Sequence, residues 1–435
     1  MNAGRPAGQG ADSSGRMLQL CAGYLLSYVL TGVAVKVFTG GIRQPPMPEF
    51  AYLLNSTIGG SVLCLAVVFA LGWVRLRSNR RVRWGPWSIP SETGYIVLSG
   101  VCTAVVIPTT TLMYSLPVSV MVAMIIMRGS IIVISRVVDA IQIRQGLLRR
   151  RVYAEENWAT VFALLAVGTH LALAPMVAWL DRLGMTVPAG LNGVAGGGQF
   201  EFMRSGLAVG ILGSYVVAYA IRIYVMNYFK NTRAPGVDQD NRGYFAIEQI
   251  AASLTMALVV AFVAGPAAWL GWNDPRLADL RNALHHPDPA AILSGIPYGL
   301  VAFFSVFIFM LRGRTATFAG LVNRLTSLIA GTVSTLLLFW LFRSAAPKPA
   351  DWMSLAFILV AVGFLAAAER RRTRSGSGAA ASAASPGPGT IPARAELHPG
   401  EWTARNAAAI VPGDRHRRTA GADREGLTSR KDPNP

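Results

Sequence analysis

The chain has 435 residues, of which 52% are hydrophobic and only 14% charged, and its mean hydropathy is +0.42. A soluble globular domain carries about 25% charged residues, so that class is excluded. The net charge of +18 comes without a separate soluble basic domain, which excludes a nucleic-acid binder. A membrane span needs about 20 predominantly apolar residues, and the expectation is an all-α polytopic membrane protein in contact with the lipid bilayer.

Residues 1–16 form a polar cytoplasmic tail containing Arg5 and Arg16. The apolar segment behind it is too long for a signal-peptide core and lacks a cleavage site, so it is read as a retained first helix. Five spans follow one another near 17–40, 50–73, 94–113, 117–140 and 158–180. A linker over 181–204, glycine-rich from Pro188 to Gly198, separates them from five more near 205–229, 244–271, 291–311, 316–341 and 352–368. Residues 369–435 are rich in Ala, Gly, Ser, Pro and Arg without an apolar period, and are predicted to be a disordered basic cytoplasmic tail. Cys21, Cys64 and Cys102 all fall inside spans, where they serve packing. Nine of the ten tryptophans lie near span ends or in short loops, the places of interfacial anchors.

Basic residues set the orientation. With the N-terminus inside, twenty Lys and Arg fall on the inner side, including Arg75 to Arg83, Arg144 to Arg151 and Arg370 to Arg374, against seven outside. The positive-inside rule therefore places both termini in the cytoplasm.

The chain reads as though written twice. Leu20, Gly23 and Ser27-Tyr28-Val29 in span one match Leu207, Gly210 and Ser214-Tyr215-Val216 in span six. Phe50-Ala51 opens span two as Phe245-Ala246 opens span seven, and Arg128 in span four matches Arg324 in span nine. The matched residues are 187 to 196 apart throughout, a repeat signal. Five spans per half is an odd number, so the second half enters the membrane upside down. The expected architecture is ten transmembrane helices as two inverted five-helix repeats, 17–180 and 205–368, the layout in which two half-molecules rock about a midplane site.

Arg128 and Arg324 both lie roughly 15 Å into the bilayer at about 1.5 Å per residue. An arginine there costs about 2.5 to 3.5 kcal/mol on insertion scales, and a desolvated guanidinium seeks a carboxylate or phosphate. The candidate substrate-binding set is Arg128, Arg324, Tyr28, Asn55, Tyr215 and Asn323, with Ser56, Ser119, Tyr219 and Thr326 as further polar groups, and the expected partner is a small anionic substrate. Lys36, Arg222, Glu248 and His170 are candidates for gating or coupling. For Glu248, an ion pair with Arg222 and a proton-coupling role stand side by side; Asp139 is expected to pair with Arg136 one turn away. Gly59-Gly60 would let helices approach closely.

The sequence contains no HExxH pair, no GxSxG turn, no Walker loop and no paired carboxylates facing a cavity, so no enzyme, cofactor or metal site is expected. A homodimer is allowed by the sequence.

The layout resembles the drug/metabolite transporter superfamily, whose ten-span members include EamA-like exporters and nucleotide-sugar transporters. The stretch Met127-Arg128-Gly129-Ser130-Ile131-Ile132-Val133-Ile134 is similar to the arginine-glycine stretch in span four of the nucleotide-sugar branch. The resemblance implies a secondary transporter working by alternating access, and a nucleotide sugar as one substrate to test. A preference for Arg over Lys, with abundant Ala and Gly, fits a GC-rich bacterial genome and an inner (plasma) membrane location. The rival readings are a lipid-linked-sugar flippase of the same fold, with a cavity open laterally to lipid, and a non-transporting scaffold, with both arginines fully paired inside the protein.

Overall fold

The structure is a computed structural model, and it describes residues 9–84, 87–116, 120–147, 153–184, 206–234, 236–271, 274–311, 316–344, 347 and 349–384. The chain divides into a large unit, Met1–Ala379, and a short one, Ala380–Pro435, of which residues 380–384 are described. The linker between the predicted halves and most of the C-terminal tail lie outside the described residues.

Thirteen helices follow one another among the described residues: α1 (Gln9–Thr39), α2 (Glu49–Ala70), α3 (Thr93–Ser115), α4 (Val120–Arg144), α5 (Ala154–Arg182), α6 (Gly206–Asn231), α7 (Asn241–Ala264), α8 (Pro266–Trp269), α9 (Pro275–His285), α10 (Pro289–Leu293), α11 (Ile296–Phe309), α12 (Ala316–Phe342) and α13 (Pro349–Ala384). One antiparallel hairpin, β1 (Arg81–Trp84) with β2 (Trp87–Pro90), pairs Val82 with Ile89 in the basic loop before α3.

Among the described residues, seven segments are long and apolar enough to cross a membrane: Gly15–Thr39, Glu49–Ala70, Thr93–Ser115, Ala208–Asn231, Asn241–Ala264, Pro289–Phe309 and Ala316–Phe342. The outward faces of these helices carry Leu26, Leu30, Val62, Phe69, Leu98, Val217, Leu254 and Leu258, all exposed. Apolar side chains on the outside with polar ones inside are the pattern of a chain solvated by lipid, where every backbone polar group is satisfied within its own helix. The protein is an all-α polytopic membrane protein. The apolar run of α4 is interrupted by Arg128, Arg136, Asp139 and Arg144, and the apolar stretch of α13, Trp352–Ala368, is short.

Three boundaries differ from the sequence expectation. The predicted eighth span is broken into α10 and α11 at Ser294-Gly295, because Pro297 in the first turn of α11 has no N–H to continue the ladder. Helix α13 runs on to Ala384, where Ala, Glu and Arg are strong helix formers that extend the span past residue 368. Likewise α1 begins at Gln9, inside the predicted N-terminal tail.

The bundle is knit by pairs that alternate between the halves. Helix α3 packs on α6 and α7, α11 packs on α1 and α2, α4 on α12 and α6, and α1 on α12. Small residues set the closest crossings: a Cβ at Gly59 would lie 1.8 Å from the Ile292 carbonyl oxygen, and one at Gly295 would lie 1.9 Å from that of Ser56. Without a hydrophobic drive between helices in lipid, such close backbone approach supplies the attraction. Helices α5 and α13 stack through Phe162 on Phe364, ring centroids 5.5 Å apart, and through the Ser354 hydroxyl, which donates to the Ala166 carbonyl at 3.0 Å.

At the end of the bundle that bears the hairpin, Glu92 ties the two halves together. Its buried carboxylate accepts from the Asn79 N–H at 2.7 Å, the Ser78 hydroxyl at 2.5 Å and Arg233 Nη1 at 3.2 Å, while Arg233 lies 3.7 Å over the Phe229 ring. Asn79 also donates to the Thr232 carbonyl at 2.9 Å, and Arg77 N–H to Asp240 at 3.0 Å. Burial alone would push the Glu92 carboxyl up. The hydrogen bonds from Asn79 and Ser78 and the Arg233 charge outweigh burial and hold it below its ordinary value.

Two predictions follow from this packing. Gly295→Leu forces a side chain into the Ser56 carbonyl; overpacking costs about 1–3 kcal/mol where neighbours can move, and backbone cannot. The variant should lose most of its folded yield in detergent, whereas Gly94→Ala, with nothing within 4 Å, should match the parent. Because the folded Glu92 is depressed, the stability it contributes is complete above its unfolded value, about 4.3, and disappears as pH falls through the folded value. Thermal unfolding of Glu92→Gln should lie below the parent at pH 6, and the gap should close on acidification; a gap constant with pH sinks the assignment.

Candidate functional site

The centre of the bundle gathers polar side chains from six helices. Helix α1 presents Tyr24 and Tyr28, one turn apart, α6 presents Tyr215, Tyr219 and Arg222 at positions i, i+4 and i+7, and α12 presents the neighbours Asn323 and Arg324. Helix α4 contributes Arg128, α3 contributes Ser99, Thr103 and Tyr114, and α7 contributes Glu248. The 3.6-residue period puts each helical set on one face, here the inward one.

Arg128 is 1% exposed and, among the described residues, is held by tyrosines. Its guanidinium donates to the hydroxyls of Tyr28 and Tyr215, and at 3.4 Å to that of Tyr114, while Nε has no partner. Tyr28 and Tyr215, matched in the sequence repeat, thus flank one arginine from opposite halves. Arg324 is 0% exposed, and Nε, Nη1 and Nη2 are all without a hydrogen-bond acceptor. It rests against ring faces instead, 4.2 Å from the Tyr219 centroid and 5.9 Å from that of Phe309. Next to it, Asn323 accepts from the Tyr24 hydroxyl at 2.8 Å and donates to Ser305 at 3.4 Å.

Arg222 and Glu248 form a two-point ion pair, Nε to Oε1 at 2.9 Å and Nη2 to Oε2 at 3.1 Å. Ser99 and Thr103 also donate to Glu248 Oε1, at 2.7 and 3.2 Å, and Tyr244 donates to Ser99 at 2.9 Å. Of the two readings open for Glu248, the geometry shows the pair.

The balance of charge is uneven. Among the described residues that meet here, three guanidinium groups face one carboxylate, and that carboxylate is committed to Arg222. A desolvated ion costs several kcal/mol even after relaxation, and a desolvated cation–π contact returns about 2 kcal/mol. Among the described residues, no carboxylate pairs with Arg324.

A water-sized gap of about 20 Å³ lies beside these groups, lined by Tyr28, Tyr219, Arg222, Thr103, Tyr298 and Ser305 among others. Arg128 and Arg324 are not in its wall: the rings of Tyr28 and Tyr219 stand between them and the space. Each tyrosine lies with one face or its hydroxyl on an arginine while also bordering the gap.

The other sequence candidates are placed as follows. Lys36 donates to the Leu116 carbonyl at 2.9 Å, tying α1 to the end of α3. Asn55 lies away from the arginines; its amide donates to Ala51 and its oxygen accepts from the Asp288 N–H at 3.1 Å, near the Arg43–Asp288 ion pair at 2.7 Å. It helps seat α10 on α2. Ser56 and Thr326 bond back to carbonyls of their own helices. Asp139 does not pair with Arg136. It accepts from the N–H groups of Ala316 and Thr317, at 3.1 and 2.7 Å, and from the Thr317 hydroxyl, so it caps the start of α12. Arg136 instead donates to the Glu156 carbonyl and to Thr160, both at 2.9 Å. Ser119 and the His170 side chain lie outside the described residues. Sequence reasoning missed Tyr24, Tyr114, Tyr298, Ser99 and Thr103; the tyrosine–arginine spacing on α6 was the available clue to an inward polar face.

No family model and no curated protein matches the chain. One solved crystal structure superposes with a TM-score of 0.46 at 18% identity, covering 82% of this chain and 99% of its own; so distant a likeness carries no argument.

Breaking a buried pair by removing one partner costs about 3–5 kcal/mol. Arg222→Gln and Glu248→Gln should each lower stability on that scale, and the double variant should lose much less than the sum. Additive losses in thermal unfolding would remove the pair as the dominant role of Glu248.

Proposed function

We propose that the protein is a secondary-active transporter that moves a small organic anion or phosphorylated metabolite across the membrane by alternating access. The observation that carries this reading is Arg324, a fully buried guanidinium with no hydrogen-bond acceptor, beside a second buried arginine bonded only to neutral hydroxyls. An anion entering this gap as it widened would sit one ring's thickness from Arg324 and would meet Arg222 directly. In a water-poor site that attraction is far larger than in bulk. A non-transporting scaffold requires both arginines to be fully paired within the protein, which Arg324 does not satisfy.

The same reading has ten spans arranged as two inverted five-helix repeats, in a bacterial inner membrane with both termini inside. Three features support the repeat. Helix α3 packs on α6 and α7 as α11 packs on α1 and α2. The crossing of α3 on α7 is tight at Gly100, where a Cβ would meet the Glu248 carbonyl at 2.7 Å, as that of α11 on α2 is tight at Gly295. Tyr28 and Tyr215, equivalent in the two halves, meet at Arg128. The resemblance of residues 127–134 to drug/metabolite transporters points the same way and makes a nucleotide sugar one substrate to include.

The test is thermal stabilisation of the purified protein by nucleotide sugars, sugar phosphates, carboxylates, amino acids and cationic drugs, run beside Arg128→Gln and Arg324→Gln. A ligand at 100 times its Kd adds about 2.7 kcal/mol. Anions should stabilise the parent and not the variants; cations stabilising the parent, or anions acting equally on all three proteins, overturn the anion site.

A further inference from the structure

The connection between α2 and α3 carries five arginines in nine residues, Arg75, Arg77, Arg80, Arg81 and Arg83, and all five are exposed. Arg77 is engaged with Asp238 at 3.4 Å, and its N–H with Asp240 at 3.0 Å. Arg75, Arg80, Arg81 and Arg83 make no ion pair among the described residues. The acid nearest to them in sequence, Glu92, is buried and committed to Arg233, Asn79 and Ser78.

Folding sorts these charges onto one side of the hairpin. Arg81 stands opposite Pro90, Val82 opposite Ile89 and Arg83 opposite Ser88. Opposed residues share a face and successive residues alternate, so Arg81 and Arg83 lie on one face and Val82 with Ile89 on the other. Val82 is 49% exposed, which leaves the apolar face partly uncovered by the protein. The base of the hairpin is fixed, because the Ser91 N–H donates to the Arg80 carbonyl at 2.9 Å beside the Glu92 clamp. A positive-inside signal needs the charges but not a folded hairpin that displays them. The hairpin also lies close to the bilayer. Pro90 ends β2 and Thr93 begins a membrane-crossing segment, a chain distance of about 10 Å at about 3.3 Å per residue.

We infer that this hairpin is a docking element for the anionic phospholipid headgroups of the leaflet it adjoins. The guanidinium groups of Arg81 and Arg83, with those of Arg75 and Arg80, hold headgroup phosphates, while Val82 and Ile89 rest at the boundary between headgroups and acyl chains. A guanidinium presents paired N–H donors that match phosphate oxygens. Each basic residue near an anionic membrane adds attraction that falls away within a Debye length, so the short distance from α3 matters. An amphipathic helix lying in the interface divides its surface in the same way, cations on one face and apolar groups on the other. A soluble polyanion would satisfy the arginines but offers nothing to Val82, and lipid is favoured for that reason. The inference depends on the protein being embedded in a bilayer and is independent of what it transports.

The experiment uses the full-length protein in nanodiscs of phosphatidylcholine alone and of an equal mixture of phosphatidylcholine and phosphatidylglycerol, and follows hydrogen exchange at the amides of Val82, Arg83, Ser88 and Ile89. In the mixed discs exchange should slow by about fivefold or more, the change that one arginine's attraction to an anionic surface supports, and high salt should reduce that gain. The double variant Arg81→Gln, Arg83→Gln removes two exposed charges that pair with nothing in the described protein. It should exchange like the parent in neutral discs and lose the gain in mixed ones, with unchanged exchange in α3 reporting that it is folded. If the double variant does not fold, Arg83→Gln alone carries the comparison and should lose part of the gain. Equal exchange in the two kinds of disc, a variant that keeps the parent's full gain, or a gain untouched by high salt overturns the lipid site. Slowing produced in neutral discs by inorganic phosphate or by a single-stranded oligonucleotide also overturns it, in favour of a soluble anion or a nucleic acid.

Discussion

Three guanidinium groups held out of water with one carboxylate between them is the constraint on which this bundle turns. Arg222 is neutralised in the ordinary way, by a two-point pair with Glu248 that Ser99, Thr103 and Tyr244 reinforce. Arg128 and Arg324 are not. They are surrounded by tyrosines, whose hydroxyls accept hydrogen bonds and whose faces attract cations without bringing a negative charge. Six helices must meet at one depth to supply these groups. The glycine crossings of α2 with α11 and of α3 with α7 are what allow the helices to come that close.

The ends of the bundle are fastened differently from its middle. At the hairpin end, Glu92, Asn79 and Asp240 bind the connection before α3 to the connection between α6 and α7, and Asp139 of α4 caps α12. At the other end the fastening is sparser among the described residues: Arg43 with Asp288, Asn55 with the Asp288 N–H, and Lys36 with the Leu116 carbonyl. Each of these contacts joins elements that lie in different halves or at a helix terminus. The arginine–tyrosine core, by contrast, offers neutral acceptors in several directions around each guanidinium. The midplane is built for adjustable bonding and the ends for discrete bonding.

Much of this was legible in the sequence, for a physical reason that also marks the limit. Apolar runs announce depth, so the helices and the burial of Arg128, Arg324, Arg222 and Glu248 follow from hydropathy alone. Tyr28 and Tyr215 could be named because the repeat placed them together. Rotation about the helix axis is another matter. In lipid the outside is as apolar as the packed inside, so the pattern on α2 does not say that Asn55 faces α10 rather than the arginines. Tyr114 on α3 was invisible for the same reason. Asp139 was misassigned because a local partner, Arg136, was visible one turn away, whereas the stronger partner was the unsatisfied start of a helix 177 residues later. Local spacing competes poorly with a buried helix N-terminus that has free N–H groups to satisfy. The break at Ser294-Gly295 was written in its turn residues, but the apolar run on either side masked it.

The choice of tyrosine over carboxylate around two of the arginines bears directly on what the site can do. Had Tyr28 or Tyr219 been an acid, the site would hold a closed ion pair, and an arriving anion would have to displace a covalently tethered competitor. A phenol stabilises the empty site less but leaves its positive charge intact. Under the proposed anion-binding role, the cost of burying that charge lowers the stability of the folded protein until an anion offsets it. Binding is then coupled to stability by the same interaction.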